Sequence, residues 1–353
     1  MLSAESPGHR IALDVTASLR AGRDRGLGRY LEALWSGLEA EPDIDLRLVS
    51  GIRHVPPRAE TWVSVAVRRA RLARLSPYIY HATSCYDLVP GVLSRTVCSV
   101  LDVIPIDHPG YVKTGIRTRY FHNLILRVPR IVVLSEHTRE RLVSVLGVDP
   151  SRIVRAPMPV PRLALEATTS LALPARPFIV GMADLRAPDP RKRYHLLAEA
   201  AEQLSRRGIA TVLLGPGTES FDGKDRIRGL GRVSDADLAA VLRSAEVMFF
   251  SSAYEGQGLP PQEALSVGTP VVAFRNSSLP EMLGGGAVFI DEDPEDDTGR
   301  TRIAAVVEAC AEIIDHPTVR SHLAQAGSLH VAQFDRARFL SGVRSAYDAV
   351  SPL

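Results

Sequence analysis

The sequence predicts two α/β domains of similar size, each built on a doubly wound parallel β-sheet. Two observations support this fold class. Short apolar runs alternate with helix-like patterns through most of the 353 residues, as expected where crossover helices join parallel strands. The alternation breaks at residues 156–177, where five prolines and little periodicity indicate a linker, and it then starts again.

Each half contains four apolar runs of strand length. In the first half they lie at 10–15, 45–51, 96–103 and 130–135, and in the second half at 178–182, 210–215, 247–251 and 270–274. Helical spacing is found from Leu27 to Leu38, in a helix that ends at Gly147, over 194–208 and 235–245, and from Pro261 onward. We therefore predict domains over 1–160 and 161–335, facing a cleft of the kind that commonly binds ligands.

The composition excludes several classes of protein. No run of about 18 apolar residues occurs, so no transmembrane span is expected. The N-terminus lacks the pattern of a signal peptide, and three isolated cysteines fit a reducing compartment, so we expect the cytoplasm. Aromatic residues make up only 6%, which does not favour nucleic acid as a partner.

The charge is unevenly distributed although the net charge is only +2. Residues 1–165 carry 23 basic and 15 acidic side chains, and the remainder carries 19 and 25. A basic first half suits an anionic acceptor or an acidic membrane surface, although an ordinary solvated surface is the simpler interpretation. For the basic segments 64–75 and 120–130, the alternatives are a helix at a membrane surface and a plain surface helix.

The strand at 247–251 is followed by a loop, Tyr254 to Pro260, that has the features of a ligand site. Ligands of open parallel sheets bind beyond the carboxyl ends of strands. Gly256 and Gly258 let the backbone approach a ligand closely, and the start of the next helix favours an anion such as a diphosphate. A plain strand–helix turn is the alternative for the glycine pair.

Two glutamates, Glu255 and Glu263, bracket this loop with seven residues between them. A carboxylate can accept hydrogen bonds from two adjacent hydroxyls, as sugars and riboses offer. Glu255 is expected near any sugar held by the diphosphate. For Glu263, predicted in the first helical turn, simple compensation of the helix dipole is the alternative.

Together these residues resemble the signature of glycosyltransferase family 4. The matching positions are Ser252, Glu255, Gly256, Gly258, Leu259, Pro260, Glu263, Ala264, Gly268, Thr269 and Pro270, with Pro280 and Glu281 downstream. Further segments resemble the family at Gly26–Tyr30 (a glycine-rich loop), 131–154, Pro190–Lys192, 229–246 and 336–349. The resemblance implies the GT-B architecture of two Rossmann-like domains, with residues 336–353 forming a helix that packs back on the N-terminal domain.

The resemblance also implies a function. Members transfer a hexose from a nucleoside-diphosphate sugar to an acceptor hydroxyl with retention, and generally without a metal. We accordingly expect no cofactor and no metal ligands. The acceptor would be a small molecule, a glycan or a lipid-linked sugar, with peripheral membrane contact as one option, and the oligomeric state is left open.

The family's roles carry over onto matching positions. Glu255 would hold the donor sugar, the Gly256–Leu259 backbone (Gly256, Gln257, Gly258, Leu259) would contact sugar and phosphates, and Glu263 would bind the ribose diol. Lys192, with Arg191 or Arg186, would neutralise the diphosphate. Gly28 and Val233 complete the predicted donor site.

The sequence departs from the family pattern at several places. Leu101 precedes Asp102 where the family has histidine, and Gln257 replaces an aromatic residue. Asp102 is kept as an acceptor ligand or base, with turn capping as the alternative, and Asp14 is weighed in the same way. Leu101 motivates a second hypothesis, a non-catalytic protein that binds a nucleotide sugar. Another GT-B activity such as a sugar epimerase is a third, although the paired glutamates and Pro190–Lys192 argue against it. The D-x-D motif Asp291–Asp293 is interpreted as a solvated loop.

Overall fold

The computed structural model describes residues 8–16, 26–51, 60–108, 110–111, 115–223, 226–296 and 298–350. The chain forms two compact units. Unit 1 comprises Met1–Pro159 together with Phe334–Leu353, and unit 2 comprises Val160–Gln333. The segment 156–177, predicted as a linker, carries neither helix nor strand and includes the boundary between the units.

Unit 1 contains a parallel sheet of six strands. The strands are β1 (His9–Asp14), β2 (Ile44–Val49), β3 (Ile79–Ala82), β4 (Thr96–Val100), β5 (Arg130–Val133) and β6 (Ile153–Arg155). They lie in the order β2-β1-β3-β4-β5-β6, so the strand order reverses between β1 and β3. The intervening helices are α1 (Gly26–Glu39), α2 (Glu60–Ala73), α3 (Ile104–Asp107), α4 (Ile116–Ile125) and α5 (Glu136–Leu146).

Local sequence explains the helix bounds in unit 1. In α1 the apolar residues Leu31, Leu34 and Leu38 recur at helical spacing and are buried. Helix α5 begins where the hydroxyl of Ser135 accepts a hydrogen bond from the Thr138 amide, and it ends at Gly147 with φ 68°.

Unit 2 contains a second parallel sheet of six strands. The strands are β7 (Phe178–Met182), β8 (Ala210–Leu214), β9 (Ile227–Gly231), β10 (Val247–Phe250), β11 (Val271–Phe274) and β12 (Ala287–Ile290). Their order, β12-β11-β10-β7-β8-β9, is that of a dinucleotide-binding fold, with the topological switch point between β7 and β10. Its α-helices are α6 (His195–Ser205), α7 (Asp235–Ser244), α8 (Leu259–Ser266), α9 (Leu279–Leu283), α10 (Ile303–Asp315) and α11 (Pro317–Val331).

A final helix, α12 (Arg336–Asp348), belongs to unit 1. Its residues Phe339, Val343 and Tyr347 are fully buried. The Tyr347 hydroxyl lies 2.6 Å from His81 Nδ1 on β3, and Arg344 forms an ion pair with Asp43. The helix is therefore an integral part of unit 1, although nearly the whole of unit 2 precedes it in the sequence.

The predicted α/β fold with two parallel sheets is confirmed. Strands β3, β6 and β9 were not predicted, because they are three to five residues long and include histidine, arginine or glycine. Strand β12, an apolar run of four residues, was given no bounds. Two expectations are wrong in detail. The glycine-rich segment at Gly26–Tyr30 is the first turn of α1, and the helix expected from Pro261 begins at Leu259. Within the described ranges, no helix is long and apolar enough to cross a membrane.

Candidate active site

A short turn at the switch point of unit 2 carries the predicted phosphate-binding cations. Residues Pro190–Lys192 form a 3₁₀ turn, which Asp189 opens by accepting a hydrogen bond from the Arg191 amide at 3.1 Å. The side chain of Asp189 also accepts from Arg191 Nε at 2.8 Å. Arg193 ends the turn in the left-handed region, with φ 44°.

The loop that follows β10 is hydrogen-bonded to this turn. Ser251 Oγ donates to the Lys192 carbonyl at 2.6 Å, and the Ala253 amide donates to the Arg191 carbonyl at 2.7 Å. Arg191 Nη1 donates to the carbonyl of Tyr254 at 3.4 Å. The two loops that leave the sheet at the switch point therefore form one connected edge.

Lys192 and Glu255 meet at this edge. The Lys192 ammonium forms an ion pair with Glu255 Oε1 and lies 5.6 Å from the centre of the Phe250 ring. The side chain of Lys192 is 23% exposed and that of Glu255 is 10% exposed. A cation and an anion are thus held together with partial access to solvent, and each can exchange its partner for a charged or hydroxylated ligand.

Gly258 sets the start of helix α8. Its φ of 81° and ψ of 61° lie in the left-handed region that favours glycine. The two prolines after Leu259 occupy the first turn, where a missing amide hydrogen breaks no intrahelical bond. The amino end of α8 therefore follows directly on the loop that carries Glu255, and its dipole favours an anion there.

Gln257 and Glu263 are both buried in this region. Gln257 Nε2 donates to Gln262 Oε1 at 2.9 Å, and Gln262 Nε2 donates to the Met282 carbonyl at 3.2 Å. Because α8 begins at Leu259, Glu263 lies beyond the first turn, which corrects its expected place. Dipole compensation is accordingly a weaker explanation for this glutamate.

The remaining predicted residues of unit 2 lie in varied surroundings. The Arg186 side chain is 73% exposed and its Nη2 lies 3.7 Å from Glu219 Oε1. Val233 is half-buried and immediately precedes Ser234, which caps α7. Gly256 is half-buried in the loop between Glu255 and Gln257.

Two predicted site residues belong to unit 1. Gly28 is buried in the first turn of α1. Asp102 follows β4, and its Oδ1 accepts a hydrogen bond from the Ile104 amide at 3.2 Å, which is the geometry of a turn cap. Asp14 is fully buried, with Arg68 Nε at 2.9 Å and the Tyr80 hydroxyl at 2.7 Å, so its visible role is structural.

A Cys–His pair lies in the same unit. Cys85 Sγ is 3.7 Å from His122 Nε2. Burial, together with the charges of Asp87 and Asp102, raises the pKa of the Cys85 thiol to about 12. The thiol therefore stays protonated near neutral pH, which argues against a nucleophilic role.

The sequence did not single out Arg193. This side chain is 3% exposed and forms an ion pair with Glu292, the central residue of the D-x-D motif. Asp291 is 2.7 Å from Arg275 Nε, and Asp293 accepts from the Thr301 hydroxyl at 2.9 Å. The motif is thus engaged in protein contacts, and the described part of the chain contains no cluster of three or more His, Cys, Asp or Glu suited to a metal.

Known proteins resemble this chain in sequence. Residues 176–328 match the family model of glycosyl transferases group 1. The chain is 27% identical to O-antigen chain mannosyltransferase B of Escherichia coli over 276 residues, which are 70% of this chain and 68% of that protein. It is 29% identical to the MMP alpha-(1->4)-mannosyltransferase of Mycolicibacterium hassiacum over 168 residues, 45% of this chain and only 40% of that protein.

Solved structures resemble the chain over nearly its full length. A sucrose-phosphate synthase from Thermosynechococcus elongatus superposes with a TM-score of 0.74 at 16% identity, covering 96% of this chain and 98% of that one. The Anabaena protein HepE, in complex with UDP and glucose, gives a TM-score of 0.71 at 16% identity, with 97% and 100% covered. Residues 176–328 are therefore similar to glycosyl transferases of group 1, and the shared folds show that the chain has the two-domain GT-B architecture.

Proposed function

We propose that this protein is a glycosyltransferase, and specifically a retaining, metal-independent hexosyltransferase that uses a nucleoside-diphosphate sugar. The observation that carries the proposal is the Lys192–Glu255 ion pair at the switch point between β7 and β10. Such switch points are where open α/β sheets bind nucleotides. An ammonium suits the diphosphate, and a carboxylate suits the hydroxyls of the sugar.

The leaving group explains the proposed role of the cations. Departure of a nucleoside diphosphate builds negative charge on its phosphate oxygens. The Lys192 ammonium, the Arg191 guanidinium and the amide dipoles at the start of α8 would stabilise that charge without a metal. The Glu255 carboxylate would accept hydrogen bonds from the sugar while Glu263 holds the ribose.

Retention of anomeric configuration is proposed to proceed by a front-face displacement, in which the leaving phosphate takes the acceptor's proton. The roles of Gly28, Arg186, Val233 and Asp102 stay predictions. No cofactor is required by this scheme.

The relatives suggest the sugar and the kind of acceptor. Both relatives described above are named as mannosyltransferases, and one of them is named for an O-antigen chain. We therefore propose mannose as the first hexose to test, and a glycan or lipid-linked sugar as the acceptor. The HepE complex with UDP and glucose keeps UDP-glucose in the donor panel.

We propose a cytoplasmic location with peripheral contact at the inner membrane face. Helix α4 exposes Ile116 (89%) and Tyr120 (37%), and α2 exposes Arg69 and Arg71. Apolar and basic side chains of this kind suit an anionic lipid surface. Sedimentation of the protein with phosphatidylglycerol vesicles, but not with phosphatidylcholine vesicles, would support the contact. Sedimentation with neither type of vesicle would contradict it.

The test of the function is transfer itself. The protein is incubated with GDP-mannose, UDP-glucose and the dTDP- and ADP-sugars, each with a panel of glycan and lipid-linked acceptors, with and without EDTA. We expect an α-linked product from an α-linked donor, formed equally with EDTA present. Because Leu101 stands where the family carries histidine, saturable donor binding without turnover on any acceptor would favour the non-catalytic alternative.

A further inference from the structure

We infer that a hydrogen-bond network running from Arg193 through Glu292, Asn276 and Ser277 positions Glu255 for the donor sugar. The inference rests on the proposed function, in which Glu255 touches the sugar. The network acts on Glu255 through its backbone, so its members are positioning residues. Ser277 is the decisive one, because it contacts Glu255 directly.

The first link is the buried guanidinium of Arg193. Its Nε donates to the Ser251 carbonyl at 3.1 Å, and its Nη2 donates to the Ser252 carbonyl at 3.3 Å. Two further bonds, at 2.7 and 3.0 Å, form a fork on the carboxylate of Glu292. The guanidinium also lies 4.2 Å from the centre of the Phe274 ring. A single side chain thus joins the ends of β10, β11 and β12.

The second link is the amide of Asn276, which follows β11. Its Nδ2 donates to Glu292 Oε1 at 2.6 Å and to the Ser252 carbonyl at 3.0 Å. Both acceptors are shared with Arg193. The orientation of the Asn276 amide is therefore set by the same groups that hold the guanidinium, and its Oδ1 is turned toward Ser277.

The third link reaches Glu255. Ser277 Oγ donates to Asn276 Oδ1 at 3.0 Å and accepts from the Glu255 amide at 2.9 Å. The next residue, Ser278, donates from its hydroxyl to the Glu255 carbonyl at 2.9 Å and is fully buried. Both backbone polar groups of Glu255 are thus fixed by consecutive serines, while its carboxylate pairs with Lys192, the neighbour of Arg193.

Backbone geometry points to the same residues. Arg193 and Ser277 both have φ 44°, a left-handed conformation that is uncommon for residues other than glycine. Such conformations persist where the surroundings over-determine them, and they cluster at functional sites. Here the hydrogen bonds of the network hold both left-handed conformations, so the two strained residues and their partners act as one structural unit.

The expected consequence is specific to the sugar. A nucleoside diphosphate alone makes no use of the Glu255 carboxylate in the proposed site, whereas the nucleotide sugar does. Loosening Glu255 should therefore weaken binding of the nucleotide sugar and leave binding of the free diphosphate unchanged. General destabilisation of unit 2 would weaken both.

The experiment compares Ser277→Ala with Ser277→Gly in the full chain, using Ser205→Ala as the control. Ser205 is a half-buried serine whose hydroxyl donates to the Glu202 carbonyl on α6. Both Ser277 variants lose the acceptor for the Glu255 amide, but only the glycine relieves the left-handed strain. Calorimetric dissociation constants are measured for GDP-mannose against GDP, and for UDP-glucose against UDP.

We expect both Ser277 variants to lose about fivefold to tenfold in the preference for the sugar-bearing ligand, the size of one hydrogen bond. Affinity for the free diphosphate should stay within twofold of the unaltered protein, and Ser277→Gly should melt no lower than Ser277→Ala. The control should keep the full preference. An unchanged preference in both Ser277 variants, or a parallel loss for both ligands, would overturn the inference.

A double variant tests whether the residues act in sequence. If Asn276 works through Ser277, Asn276→Ala combined with Ser277→Ala should lower the preference no further than Ser277→Ala alone. If the double variant instead shows the product of the two single-variant losses in preference, the two residues act independently, which would contradict a single path through Ser277. Failure of the unaltered protein to bind either nucleotide sugar would instead refute the proposed function, so the two failures are distinguishable.

Discussion

The ammonium of Lys192 and the carboxylate of Glu255 form an ion pair across 63 residues of sequence. The pair joins the turn after β7 to the loop after β10, at the switch point of the unit 2 sheet. It brings together two of the residues that the sequence assigned to donor binding. Glu255 is largely buried, but 23% of the Lys192 side chain is exposed, so the cation of the pair keeps access to solvent.

Replacing Glu255 by glutamine should remove activity without removing the fold. The variant keeps the shape of the side chain but loses the charge that holds the sugar hydroxyls. We expect kcat/KM to fall by about 100-fold or more, the range seen when one fixed electrostatic contact to a transition state is lost. Arg207→Ala, which breaks an exposed ion pair with Glu308, should leave kcat/KM unchanged. Equal activity of Glu255→Gln and the unaltered protein would remove Glu255 from the mechanism.

Replacing Gly258 by alanine should destabilise the start of α8 and weaken donor binding. Its φ of 81° costs an L-residue about 1–2 kcal/mol, and a β-carbon there would meet Leu279 Cδ2 at 2.9 Å. Gly208 is a matched control, because its φ is 78° and nothing lies within 4 Å of an added β-carbon. Both variants should lose free energy of unfolding in urea, but only Gly258→Ala should lose donor affinity.

His81 should make the stability of unit 1 depend on pH. Its side chain is fully buried between Ser99 Oγ at 2.7 Å and the Tyr347 hydroxyl at 2.6 Å, and burial lowers its pKa from 6.5 to about 3. The unfolded chain therefore binds a proton below pH 6.5 that the folded chain excludes. The contribution to stability is complete above pH 6.5 and is lost as the pH falls toward 3.

The variant His81→Gln lacks this titration. The difference in unfolding free energy between the unaltered protein and the variant should be constant above pH 7. Below pH 6.5 it should shift in favour of the variant by about 1.4 kcal/mol per pH unit. A difference that stays flat down to pH 4 would show that His81 titrates equally in both states.

Arg68 should be essential to the stability of unit 1. It is 1% exposed and lies between two carboxylates, with Nε 2.9 Å from Asp14 and Nη2 2.7 Å from Asp87. Removal of one member of a buried ionic group leaves uncompensated charge, so Arg68→Ala should cost about 3–5 kcal/mol in urea unfolding. Arg74→Ala, in an exposed position, should cost less than about 0.5 kcal/mol. Similar costs for the two variants would contradict this account.

The sequence predicted those parts of the structure that depend on local patterns. Strand β7 was predicted at its observed bounds, and the loop around Gly258 was found from its glycines and prolines, which report backbone geometry directly. Strand β9 was missed because it contains two glycines and an arginine within five residues. It is held in the sheet by its pairing with β8, which a local pattern does not record.

In the candidate site too, the residues marked by local patterns were predicted and those set by long-range contacts were not. Glu255 and Lys192 could be assigned from spacing and residue type, but nothing local marks Arg193 as more than a surface cation. Its partner Glu292 lies 99 residues away, and its left-handed backbone is not expected of an arginine. Asp291–Asp293 likewise showed only an acidic run, and its link to Arg193 emerges from the pairing of β11 with β12.

The most direct test of the donor site is ligand-induced stabilisation. Melting curves are recorded with UDP-, GDP-, dTDP- and ADP-sugars for the unaltered protein, Lys192→Ala, Glu263→Ala and the Arg207→Ala control. A ligand that binds only the folded state raises the melting temperature by mass action. We predict that one nucleotide sugar stabilises the unaltered protein and the control, and that this shift is absent in Lys192→Ala and Glu263→Ala. Undiminished shifts in both of these variants would contradict the proposed site.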